Sequence, residues 1–144
     1  MLLRDVLKKK SEKVVTVPTG TQVIEAVRLM VEKKIGAILV VNGDNILGVF
    51  TERDHLRATA TGAPNPGASI IDDHMVRDLV IGLSADTIEL TMAVMTEKRI
   101  RHVPILEEGK LIGIVSIGDL VKAVVSEQAA ELRYLKDYIS GGIS

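Results

Sequence analysis

The sequence predicts an α/β fold, of the α+β kind, made of two tandem β-α-β-β-α repeats packed with pseudo-two-fold symmetry. Three observations predict it. The stretch GVFTERD (48–54) is echoed by GIVSIGD (113–119), with Gly48 and Gly113 separated by 113 − 48 = 65 residues and Asp54 and Asp119 by 119 − 54 = 65. A shift of 65 aligns residues 14–58 with 79–123 without a gap, setting Met30 on Met95, Ile35 on Ile100 and Ala58 on Ala123. Character survives where identity does not: Lys34 meets Arg99, Thr51 meets Ser116 and Arg57 meets Lys122.

Each repeat can be justified element by element. A short extended segment (Val14 to Val17; Leu79 to Leu83) leads to a helix start within Thr19–Thr21 or Ser84–Thr87. The helix that follows spaces Val23, Ala26, Val27 and Met30, or Ile88, Met92 and Met95, along one face. An apolar run, AILVV or HVPIL, reads as a buried strand. NGDN or EEGK supplies turn chemistry, and ILGVF or LIGIV completes a hairpin. A second helix opens at Thr51 or Ser116 and runs to about Arg57 or Val125. One such unit is too small to cover its own faces, so the two are expected to pack together.

The remaining segments frame the repeats. Residues 1–12 read as an N-terminal lead-in helix with Leu3, Val6 and Leu7 on one side. The first repeat is assigned to 13–59, a linker to 60–76 on the strength of the Gly/Pro-rich connector TATGAPNPGAS (59–69), and the second repeat to 77–125. Residues 126–144 are assigned to a C-terminal helix with Leu132, Leu135 and Ile139 on one face, stopped by Gly141-Gly142. Core packing is the ordinary use of that stripe, and support of a dimer the alternative.

Composition excludes several classes of function. The net charge is −1, so nothing draws the chain to nucleic acid or to an anionic membrane. Three aromatic residues (Phe50, Tyr134, Tyr138) are a poor supply of stacking platforms for single-stranded bases. No cysteine is present, which removes disulfides, thiolate nucleophiles and Cys-type zinc sites. The N-terminus lacks the apolar centre of a signal peptide, and IGAILVV (35–41) is too short to span a bilayer. The expected location is the cytoplasm, with neither nucleic acid nor membrane as partner and no metal.

The hydroxyl-x-x-Asp pattern carries the chemistry. Thr51…Asp54 and Ser116…Asp119 have the spacing of a helix capping box, in which the hydroxyl accepts backbone N–H groups and the acid suits the positive end of the helix. Aspartate is shorter than the Glu or Gln that usually reaches back, and each pair follows a strand carrying glycine, where backbone can approach a ligand. A carboxylate accepting two hydrogen bonds suits the vicinal hydroxyls of a ribose, and a helix N-terminus suits phosphate. Capping and ligand binding are compatible.

The duplicated unit Gly-apolar-apolar-Thr/Ser-x-x-Asp, behind a hairpin whose second copy reads HVPIL, resembles the cystathionine β-synthase (CBS) domain. Two copies over about residues 14–125 resemble a CBS pair, or Bateman module, of the bacterial stand-alone kind. The resemblance implies an adenosine-containing ligand bound in clefts between the repeats. AMP comes first, with ADP, ATP, NAD(H) and S-adenosylmethionine as alternatives. It further implies that Asp54 and Asp119 take the ribose hydroxyls, with Thr51 and Ser116 at the sugar or phosphate. Adenine would lie near Thr16, Ala37 and Ile38 in one site and near Ile81, Val103 and Pro104 in the other. Arg53, Arg101 and His102 are the nearest cations for phosphate, with Lys34 and Arg99 behind them.

The implied function is a non-enzymatic sensor of energy or redox state that forms a homodimer and signals to a regulated protein. An enzyme acting on a nucleotide is the runner-up, although no Walker loop, HExxH or GxGxxG motif supports it. A scaffold or dimerisation protein with vestigial sites is the third reading. The copies differ, with Arg53 against Gly118, Leu39 against Pro104, and Gly36-Ala37 against Arg101-His102.

Overall fold

The computed structural model describes residues 1–10, 13–61 and 68–141, and they fall into two compact units. One unit holds Lys13–Val80, and the other joins Met1–Glu12 to Ile81–Ser144. The element order is α1 (Leu3–Lys10), β1 (Thr16–Pro18), α2 (Val23–Lys33), β2 (Ala37–Asn42), β3 (Asn45–Thr51) and α3 (Glu52–Ala60). The second series is β4 (Gly82–Leu83), α4 (Ile88–Lys98), β5 (His102–Glu107), β6 (Lys110–Ser116) and α5 (Ile117–Lys136). Both repeats thus show the expected β-α-β-β-α order. Among the described residues no helix is long and apolar enough to cross a membrane.

Each repeat forms a three-stranded sheet, β1-β2-β3 or β4-β5-β6, with a parallel first pair and an antiparallel hairpin. The hairpins turn through two residues. Gly43 alone takes positive φ in the first, whereas Glu108 and Gly109 both do in the second, as type II′ and type I′ turns require. A bulge follows Val40 in one hairpin and Ile105 in the other, again 65 residues apart, so the duplication extends to a local irregularity.

Strand alternation sorts the side chains. In the first unit Val17, Ile38, Val40 and Phe50 join Val23, Ala26 and Met30 of α2 in one core. Ala37 and Leu39 point to the other sheet face and are also buried. A sheet covered on both faces explains why AILVV reads as an unbroken apolar run.

Three boundaries differ from the sequence reading. Residues 68–76, assigned to a linker from composition, pack into the first unit. Ile71 and Met75 enter its core, the Ile71 N–H donates to the Thr21 carbonyl at 2.8 Å, and Val76 bridges to Val49. The Gly/Pro-rich run 62–67 lies outside the described residues. The lead-in helix α1 belongs with the second repeat, where Leu3 is fully buried and the Leu3 N–H donates to the Asp86 carbonyl at 2.9 Å.

The third difference is α5, which runs unbroken from Ile117 to Lys136 because no Gly or Pro interrupts it near residue 126, and closes in a wider turn over Asp137–Gly141. Gly142, half of the expected stop signal, lies outside the described residues. The stripe of Leu132, Leu135 and Ile139 is exposed and takes no part in the core.

Candidate functional site

Each hydroxyl-x-x-Asp pair sits where its sheet hands over to a helix. Thr51 ends β3 opposite Ala37, and Thr16 begins β1 beside Leu39, so Thr16, Ala37 and Thr51 share one face at one end of the first sheet. In the second unit Ser116 lies opposite His102 and Pro104 opposite Ile114, on the corresponding face, with Ile81 just before β4. The handover is fixed the same way in both copies. The Glu52 N–H donates to the Gly36 carbonyl at 3.1 Å, and the Ile117 N–H to the Arg101 carbonyl at 2.8 Å.

Two expected residues lie elsewhere. Ile38 and Val103 alternate onto the opposite sheet face and are fully buried, Ile38 in the core formed with α2. They shape the sheet and do not line the face that carries Thr51 or Ser116. Arg53 and Arg101 are exposed, and His102 is half-buried.

Both aspartates complete capping boxes, which corrects the expectation that their short side chains weaken the reach back. The Thr51 N–H donates to Asp54 Oδ2 at 2.8 Å and the Ser116 N–H to Asp119 Oδ2 at 2.9 Å. In return the hydroxyls accept from the Asp54 and Asp119 N–H groups at 3.4 and 3.1 Å. Thr51 and Ser116 are extended, with φ of −118° and −100°, which turns each N-cap N–H toward the third residue and brings it within reach of an aspartate.

The glycine expectation is also corrected. A Cβ on Gly48 would stand 2.6 Å from Met75 Sδ and 2.8 Å from the Val76 carbonyl oxygen, and one on Gly113 would stand 2.6 Å from Leu7 Cδ2. The space beside Gly48 holds residues 75–76 and the space beside Gly113 holds α1, so these glycines serve packing inside each unit.

The two carboxylates differ in what surrounds them. Asp54 is only 3% exposed, its second oxygen 3.6 Å from Arg57 Nη1. The Asp119 side chain is 26% exposed, and Lys10 Nζ on α1 lies 2.9 Å from its Oδ2 while also donating to the Ile114 carbonyl at 3.1 Å. Burial pushes the Asp119 carboxyl up, but the Ser116 backbone N–H, the Lys10 ammonium and the Ser116 hydroxyl outweigh it and hold it below the ordinary carboxylate value. Lys10 was missed by sequence reasoning because it is 109 residues away. The only signal was the basic run that ends α1, Lys8 to Lys10.

A separate hollow of about 580 Å³ opens between α2 and α3, lined mainly by apolar side chains such as Val27, Val31 and Leu56, with Lys34, Glu52 and His55. Of the expected ligand residues, Lys34, the more distant phosphate cation, lines it. The His55 imidazole in its wall has a buried Nδ1 without a hydrogen-bond partner among the described residues.

Comparison with known proteins agrees with this fold. The CBS domain family matches residues 3–60 and 71–126. The chain is 38% identical over 129 residues, 86% of its length, to the CBS domain-containing protein CBSX3, mitochondrial, of Arabidopsis thaliana. It spans 63% of that protein and 42% of the protein MJ1225 of Methanocaldococcus jannaschii, to which it is 28% identical.

Among solved structures, a putative signal-transduction protein with CBS domains from Burkholderia ambifaria superposes with a TM-score of 0.83 at 39% identity, covering 89% of this chain and 96% of the other. The CBS domain protein PAE2072 from Pyrobaculum aerophilum, complexed with AMP, shares the fold at 23% identity, with a TM-score of 0.78 over 90% of this chain and 99% of that one. Two matched segments and two complete β-α-β-β-α repeats lead to one conclusion: the chain belongs to the CBS-domain family, as a tandem pair of CBS repeats.

Proposed function

We propose that this chain is a non-enzymatic regulatory module of the cytoplasm that binds an adenosine-containing ligand and signals energy or redox state to a partner protein, working as a homodimer. AMP is the first ligand to test, followed by ADP, ATP, NAD(H) and S-adenosylmethionine. One observation carries the reading: a partly open carboxylate, Asp119, stands at a helix N-terminus with a lysine 2.9 Å away. Such a group can accept the vicinal hydroxyls of a ribose, while Lys10, Arg101 and His102 supply charge and donors for phosphate. The AMP complex of PAE2072 supports the ligand class.

In this reading Ser116 and Asp119 take the sugar, and Ile81 and Pro104 flank the base. The first repeat offers Thr16, Ala37, Thr51, Arg53 and Asp54, but Asp54 must first give up part of a closed set of contacts. The two sites therefore differ in readiness.

Thermal unfolding with each nucleotide tests the proposal, since a ligand at ~100 times its dissociation constant adds roughly 2.7 kcal/mol of stability. No shift with any of the five would overturn it, and product formation from one of them would favour an enzyme. A scaffold reading is favoured by one observation, that both aspartates already complete capping boxes. It requires the absence of any shift.

A further inference from the structure

Beyond Ala123, the last buried residue of α5, the helix runs on through Lys136, and every residue from Val125 to Ile139 is exposed. Near its base Glu127 Oε1 lies 3.8 Å from the Met1 amino group, and the apolar side chains of the arm are left exposed to water, a surface that a partner would cover. Its apolar residues fall on a heptad seam. Val125 and Leu132 occupy position a, with Ile139 next in line, and Val121, Gln128 and Leu135 occupy position d. The apolar members from Val121 to Leu135 are 45–67% exposed. Leu120 and Ala123, which anchor α5 in its own unit, lie on the other side of the helix wheel, at 100° per residue about 130° from the seam.

The charges beside the seam identify the occupant. In a parallel pair of identical helices, each g residue meets the e residue five positions on in its partner. Here that sets Glu131 of one copy against Lys136 of the other, twice by symmetry. Run antiparallel, the same seam would oppose Lys122 to Lys136 and Glu131 to Glu131. Opposite charges meet only in the parallel arrangement, and Gln128 then faces its own copy as a polar register point.

We infer that the exposed half of α5 is a docking surface for a second copy of this chain, joined in parallel as a short two-stranded coiled coil. The inference deepens the homodimer reading and rests on it, but it is independent of any nucleotide.

The absence of cysteine allows a direct test on the full chain. Leu132→Cys places a thiol in the seam, where a parallel pair brings the two copies within disulfide distance, and Ala130→Cys places one on the far face. Both sites are exposed, so neither change threatens folding. Under mild oxidation we expect Leu132→Cys to form covalent dimer at least about tenfold faster than Ala130→Cys. Light scattering of the unmodified chain separates the two levels of the claim. A monomer would overturn both the homodimer reading and the arm. A dimer without preference for position 132 would overturn the arm alone, and a dimer with that preference supports both.

Discussion

The two repeats use one motif in two settings. In the first, Asp54 is sealed at 3% exposure and spends its carboxylate on the Thr51 cap and on Arg57. In the second, Asp119 makes the same cap but remains 26% exposed and is met by Lys10 from a helix at the other end of the sequence. The positions beside the motif differ in the same way. Met75 of residues 68–76 fills the space by Gly48, and Leu7 of α1 fills the space by Gly113. A duplicated motif therefore fixes local geometry, while the segment packed beside it decides how much of the carboxylate is left for chemistry.

The largest effect should separate the two aspartates by stability. Asp54→Ala strands the half-buried Thr51 N–H and hydroxyl and empties a buried carboxylate site, and we expect a loss of about 2–3 kcal/mol in urea unfolding. Asp119→Ala, partly hydrated, should cost about 1 kcal/mol. Equal losses would break the comparison.

Next come the glycines. A methyl on Gly48 meets the Val76 backbone carbonyl at 2.8 Å, which cannot step aside cheaply, whereas a methyl on Gly113 meets only the flexible end of Leu7. Overpacking at Gly48→Ala should cost about 2–3 kcal/mol and Gly113→Ala about 1. The reverse order would mean that the segments beside the strands are held differently from what their contacts indicate.

The smallest effect concerns Lys10. Its pair with Asp119 is partly exposed, so Lys10→Met should cost less than about 1 kcal/mol at neutral pH. The pH dependence is more specific. Because the Asp119 carboxyl is held below its ordinary value in the folded state, its contribution is fully present above about pH 4 and is lost as pH falls through the folded value. Urea unfolding at pH 7 and pH 3 should show a larger acid loss in the parent chain than in Asp119→Asn. Parallel acid losses in the two would remove Asp119 from the account of acid stability.

Much of this molecule is legible in its sequence. The 65-residue offset exposes both repeats, both hairpins and both caps, because turns and caps are set by neighbours a few residues apart. What is hidden depends on distant partners. Nothing local says that α1 serves the second repeat, or that residues 68–76 complete the first. The faces of AILVV and HVPIL are illegible because a strand buried on both sides loses its alternation, so the runs alone do not tell that Ile38 and Val103 lie on the face opposite Thr51 and Ser116. The continuity of α5 hangs on the absence of a breaker near Ser126, a weaker signal than the presence of one.

Calorimetric titration of AMP into the parent chain, Asp119→Asn and Asp54→Asn tests the central claim most directly. We expect saturable binding to the parent chain and a loss of about 1.5–3 kcal/mol with Asp119→Asn, the scale of a charged hydrogen bond, with a smaller change for Asp54→Asn. AMP binding that Asp119→Asn leaves untouched would contradict the assignment of that carboxylate to the ligand. No binding of AMP or of the four other nucleotides would contradict the sensor itself.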